Sequence, residues 1–128
     1  MEFNTPGIHH LALRVSDYER SRDFYTKTLG FREIMEKPGL CLFLAGSTPI
    51  AIRGPEKKTP KGDQFNPFRV GLDHLAIACE DTKDLENIAE ALNSNKIKNT
   101  GIKHDELLDK DYIAFKDPDN ISWEYYMV

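Results

Sequence analysis

Two histidines and one glutamate in this 128-residue chain have the types and the placement to hold a metal ion. His10 and His74 occupy the same place in two copies of one word. Gly7 to Asp17 reads GIHHLALRVSD, and Gly71 to Asp81 reads GLDHLAIACED. At an offset of 64 residues Gly, His, Leu, Ala and Asp recur in register, and Ile8/Leu72 and Leu13/Ile77 are conservative matches. Glu124 interrupts the apolar and aromatic run ISWEYYMV. A carboxylate in such a strand is costly unless it is paired or bound to a cation. Two imidazoles and one carboxylate on separate strands make the 2-His-1-carboxylate set, which leaves positions on a divalent metal open for substrate or oxygen.

The elements that must position these groups follow from periodicity. Ile8 to Val15 alternates, with Ile8, His10, Ala12 and Arg14 on one face and His9, Leu11, Leu13 and Val15 on the other. In the second copy His74 shares a face with Leu72, Ala76 and Ala78. The larger apolar side chains of the opposite faces suit a covering helix, so both histidines should point away from the helix layer. Ser16 or Asp17 can cap a helix from about Tyr18 to Leu29, with Ser16-x-x-Glu19 at capping-box spacing and Gly30 ending it. FREIMEK, GLCLFLAG and PIAIRG then read as strands, giving a β-α-β-β-β order. The segment from Gly54, rich in Pro, Gly and Lys, reads as a linker over residues 54–70. In the second half Leu72 to Cys79 is a strand and Asp81 a cap. Leu85, Ile88, Ala89 and Leu92 mark one helix stripe. IKNTGIKH, DYIAFKD and ISWEYYMV supply three more strands, with DPDN the turn between the last two. The expected domain is thus one unit of two βαβββ modules, residues 7–53 and 71–128.

Other residues have competing readings. Arg14 points to the same side as His10. It could bind a substrate carboxylate or phosphonate, or run from the strand end to solvent. Tyr126, two residues past Glu124, could donate a proton or wall the cavity, and Tyr112 is a weaker candidate of the same kind. His9 reads as structural, and His104, beside Asp105 and Glu106, as a solvated loop residue. Lys57, Lys58 and Lys61 read as a solvated loop or a lid.

Bulk properties narrow the function classes. A net charge of −4 argues against a nucleic-acid or anionic-membrane surface. No apolar run approaches a membrane span, and MEFNTPGIHH lacks the regions of a secretory signal, so a cytoplasmic protein is expected. Cys41 and Cys79 lie singly in apolar segments and read as buried thiols.

The chain resembles the vicinal oxygen chelate superfamily, which includes glyoxalase I, methylmalonyl-CoA epimerase, fosfomycin-resistance thiol transferases, extradiol dioxygenases and bleomycin-resistance proteins. HHLALRVSDYERSRDFYTKTLGF resembles that family's opening strand and helix, GLDHLAIACED its second-half opening, and AFKDPDNISWEYY its closing hairpin, with Asn120 where Gly is commoner. The resemblance implies an α+β fold whose two βαβββ modules form an open, U-shaped barrel around a cavity. It implies His10, His74 and Glu124 as ligands of one divalent ion (Zn, Ni, Co, Mn or Fe(II)). It also implies a homodimer, because in small members the two modules of one site often come from different subunits.

Departures from the family pattern sharpen the expectation. Glyoxalase I and the epimerase carry a Glu in the fourth strand of the first module, where the matching position here is Ala51. The fosfomycin enzymes carry a Thr two residues after the first His, where this chain has Ala12. Both activities are therefore disfavoured. The expected function is a metal-dependent lyase, isomerase or dioxygenase acting on a small oxygenated or electrophilic metabolite. The alternative is a metal-free protein that sequesters a small molecule, as bleomycin-resistance proteins do.

Overall fold

Each half of the chain starts its helix with an aspartate. In the computed structural model, which describes residues 1–128, Asp17 Oδ1 accepts from the Arg20 amide and Asp81 Oδ1 from the Lys83 amide. These bonds satisfy donors that the first helical turn leaves free. Ser16 is not the cap; its hydroxyl and amide turn instead to Asp119 in the other half. The first helix, α1 (Tyr18–Asp23), widens into a π-helical segment, Phe24–Thr28. Its last amide, that of Leu29, bonds back five residues to the Phe24 carbonyl. The wide turn brings the consecutive residues Phe24 and Tyr25 both into the interior. The second helix, α2 (Thr82–Ser94), buries Leu85 and Leu92 from the expected stripe.

The strands of the first half are β1 (Leu11–Arg14), β2 (Arg32–Lys37), β3 (Leu40–Ala45) and β4 (Thr48–Arg53). Those of the second are β5 (Leu75–Cys79), β6 (Lys103–Asp105), β7 (Lys110–Lys116) and β8 (Ser122–Met127). They form two four-stranded sheets of identical order, β1-β4-β3-β2 and β5-β8-β7-β6, in which β1 runs parallel to β4 and β5 to β8. This is the α+β architecture expected, with the sheets left open. Residues 54–70 form neither helix nor strand. No helix is long and apolar enough to cross a membrane.

Three boundaries differ from the sequence reading. Strands β1 and β5 begin at Leu11 and Leu75, so His10 and His74 each stand one residue ahead of the ladder. Gly7 and Gly71, with φ of 119° and 137°, turn the chain in just before them. Only Lys103–Asp105 of the sixth strand pairs regularly, because Asn99 and Thr100 spend their side chains on local turns.

A single core joins the halves. Phe43 stacks on Tyr25 and Phe31 with ring centroids 5.2 and 4.8 Å apart, and Phe31 continues to Tyr125 of the second half at 6.4 Å. Cys41 and Cys79 are buried free thiols, pushed up by desolvation. A polar strap crosses the same boundary. Tyr25 Oη donates to Asp117 Oδ2 (2.6 Å) and accepts from Trp123 Nε1 (2.9 Å). Asp117 Oδ1 takes the Asp119 and Ile121 amides, while Asp119 receives Ser16, Arg20 and Ser21.

The strap makes stability respond to pH in an unusual direction. Burial pushes the Asp117 carboxyl up from 3.8 to about 6, against the pull of the bonds from Tyr25 and the two amides. A carboxylate raised in the fold penalises folding fully above pH 6, and the penalty fades as pH falls through that value towards 4. Folding should therefore gain about 2 kcal/mol from this group between pH 7 and pH 4. Below that range Glu33 and Asp105, both held below the usual carboxylate range by Arg22 and Tyr126 respectively, protonate and reverse the gain. Urea unfolding across this pH range should show the rise in the wild type, and Asp117→Asn should flatten it.

Candidate functional site

The sheet of the second half carries two kinds of face. Trp123 and Tyr125 of β8 and Ile113 and Phe115 of β7 point into the core, so Ser122, Glu124, Tyr126, Ala114 and Lys116 line the opposite, concave face. Glu124 pairs across β5 with Ala76, two residues beyond His74. The pairing brings His74 Nε2 within 3.3 Å of Glu124 Oε1, with the carboxylate mostly covered and the imidazole part exposed.

His74 is oriented from behind. Asp73 Oδ1 stands 2.7 Å from His74 Nδ1, an acceptor for the ring N–H on the side away from Glu124. A histidine ligand normally gives its second ring N–H to such an acceptor, which fixes tautomer and ring orientation. The donor chemistry of the pair therefore fits a divalent ion. Asp73 was not singled out from the sequence, although the repeat contains the signal. Its counterpart in the first copy is His9, and His9 Nδ1 lies 2.8 Å from His10 Nδ1. In both copies the residue before the histidine holds its Nδ1. His9 is thus a neighbour of His10 in a hydrogen bond rather than a structural residue on the other face.

Within one chain the three expected ligands are not all together. His74 and Glu124 meet, whereas His10, exposed at the start of β1, joins no cluster of three metal-capable side chains. Register explains the missing carboxylate of the first module. Ala51 opposes Ala12 in β4–β1 as Glu124 opposes Ala76 in β8–β5, so alanine holds the position of the glutamate.

The remaining candidates are placed as follows. Tyr126 lines a cleft of about 480 Å³ with His74 and Glu124, and Tyr112 stacks on it at 5.6 Å. The Tyr126 hydroxyl donates to Asp105, and desolvation with this bond pushes it up to about 12. Arg14 lies opposite Arg53 in register and donates to the Gly54 carbonyl (2.6 Å), with Glu56 at 3.5 Å. His104 is exposed, as expected, but stands in a strand and not in a loop. It sits in β6 between Asp111 (2.7 Å) and Asp109 (2.9 Å), whose bonds raise it above the usual histidine value. Lys57, Lys58 and Lys61 are exposed.

Comparison with known proteins gives a consistent assignment. Residues 7–125 match the Glyoxalase/Bleomycin resistance protein/Dioxygenase superfamily. The chain is 34% identical to the uncharacterized protein YwkD of Bacillus subtilis, covering 94% of this chain and 95% of that one. It is 28% identical to the metallothiol transferase FosB of Staphylococcus saprophyticus, covering 94% and 76%. The crystal structure of a glyoxylase/bleomycin resistance protein/dioxygenase domain from Frankia superposes with a TM-score of 0.82 at 27% identity, covering 97% of this chain and 93% of that one. The chain belongs to the glyoxalase/bleomycin resistance protein/dioxygenase superfamily.

Proposed function

We propose that this protein is a divalent-metal-dependent enzyme that acts on a small oxygenated or electrophilic metabolite through paired oxygens of the substrate. The observation that carries the reading is the His74–Glu124 pair, 3.3 Å apart, with Asp73 at hydrogen-bond distance behind His74 Nδ1. His74 and Glu124 of one chain and His10 of a second would hold the ion. When bound, the ion supplies Lewis acidity to a chelated oxygen.

A homodimer would complete this arrangement. Strands β1 and β5 are sheet edges, and each histidine stands at the start of one. Ile8 and Leu72, two residues ahead of the histidines in the two copies, are exposed apolar side chains that a partner would cover. Because alanine stands at position 51, the first module brings neither a second carboxylate ligand nor a base. Asp73 orients, Glu124 anchors, and Tyr126 keeps its proton at neutral pH for transfer to a developing oxyanion once it leaves Asp105. The absence of a base at Ala51 disfavours proton abstraction beside a carbonyl and favours addition, lyase or oxygen chemistry.

Elemental analysis of protein purified without a tag or chelator should give one divalent ion per chain. A protein that is metal-free and takes up none of Zn, Ni, Co, Mn or Fe(II) would overturn the reading in favour of ligand sequestration. Subunit sharing has its own test. His10→Ala and His74→Ala homodimers should each lack metal, and random subunit exchange between them should restore it at about a quarter of the sites. A site built within one chain would recover none.

A further inference from the structure

Beside the His74–Glu124 pair lies an open cavity of about 400 Å³. Its polar lining is unlike the rest of the concave face. Lys116 and Ser122 form a directly opposed pair on β7 and β8, and Lys116 Nζ donates to Ser122 Oγ at 2.5 Å. No carboxylate stands within ion-pair distance of Lys116 or of Lys98, the other lysine on the wall. Two of the three Lys116 ammonium protons are unspent, and the mostly buried Ser122 hydroxyl accepts from Lys116 without an acceptor for its own proton. The other polar groups of the wall are committed: the carboxylates of Asp73 and Glu124 both face His74. Thr100 donates to Gly101, Asn99 to Asn93 and Ile97, and Asn120 to Phe65. Lys98 precedes Asn99, which bridges Phe115 next to Lys116, so the three donors line the same stretch of wall, and every one of them suits an oxyanion.

Distance along the strand fixes the relation to the proposed metal. The rung Lys116–Ser122 is adjacent on the concave face to the rung Ala114–Glu124, a spacing of about 7 Å. Ala114 and Ala76 flank Glu124 in register, so no bulky side chain of the sheet fills the interval.

We propose that Lys116, Ser122 and Lys98 form an anion subsite for the substrate. The substrate class is then a small oxygenated acid. Its carboxylate or phosph(on)ate rests on the Lys116–Ser122 rung, while oxygens a few bonds away reach the ion at His74 and Glu124. The proposal rests on the metal-enzyme reading for the second contact only; the anion contact stands without it.

The test is titration of the full-length protein with inorganic phosphate, methylphosphonate, acetate and malonate, read by calorimetry with and without a divalent ion. At least one probe should bind saturably at one per chain, and the phosphorus and carboxylate arms decide which acid the substrate carries. Lys116→Met should weaken that probe at least about tenfold, and Ser122→Ala by a smaller factor. Lys116→Arg should retain binding, and Lys57→Met, on the exposed linker, should leave it unchanged. Glu124→Gln should abolish metal uptake but not probe binding, so the two readings fail separately. Metal uptake without saturable binding of any probe overturns the subsite, as does a folded Lys116→Met variant that binds like wild type. Probe binding without metal uptake keeps the subsite and overturns the metal reading.

Discussion

His74→Ala is expected to lower divalent-metal affinity by more than about 100-fold, the upper figure for losing an outer partner of a ligand. The variant should leave the unfolding temperature of metal-free protein nearly unchanged. The imidazole is part exposed and packs no core residue, so its removal opens no cavity. Asp73→Ala is the graded companion. It keeps the ligand and frees the ring to rotate, and the expected loss is about 10- to 100-fold. Metal titration of wild type and both variants checks the order. Stoichiometric, tightly bound metal in His74→Ala would show that the ion is held elsewhere.

Tyr25→Phe should cost about 3 kcal/mol, which for a domain of this size lowers the unfolding temperature by roughly 10 °C. The ring remains, with its stacking on Phe43, so packing is preserved. What disappears is the hydroxyl that joins Asp117 to Trp123 across the two halves. Asp117 loses its only side-chain donor, and the fully buried indole N–H of Trp123 loses its acceptor. Two buried polar atoms left unpaired, Asp117 Oδ2 and Trp123 Nε1, cost more than one hydrogen bond is worth, even though Asp117 Oδ1 keeps its two amides. Thermal and urea unfolding measure the loss, and a change below about 1 kcal/mol would mean that water replaces the hydroxyl.

The sequence carried much of this architecture because its signals were local. The repeated word placed both strands and the Asp81 cap, leaving Ser16 and Asp17 as alternatives in the first copy, and the i, i+3, i+4, i+7 stripe of Leu85, Ile88, Ala89 and Leu92 placed α2. Alternation assigned Glu124 to the face opposite Trp123 and Tyr125. The family resemblance matched Ala51 to a glutamate of the fourth strand, and the strand register sets Ala51 in the first sheet where Glu124 stands in the second. Features set by pairing between distant segments were hidden. The Lys116–Ser122 rung depends on hairpin register, and the Tyr25–Asp117 bond spans 92 residues. His104 was misread because its partner Asp111 lies on the next strand, where only the β6–β7 register reveals it. Asp73 was legible in principle, since the repeat sets it against His9, but the identities differ and only the shared Nδ1 contact shows the shared task.

The shared core and strap also change how the connection between the halves should be regarded. Apart from the exposed Arg14–Glu56 ion pair, which stays within the first half, the stretch from Pro55 to Gln64 makes only local turns, while Phe65 is already anchored by the Asp119 carbonyl and by Asn120. Recognition between the halves therefore resides in Tyr25, Asp117, Asp119 and the aromatic stack, not in the tether. The tether acts as a concentration device: it keeps two homologous partners at high local concentration without instructing how they dock. In that sense the chain is a covalently leashed heterodimer of two diverged siblings, each supplying the half of an interior that the other lacks.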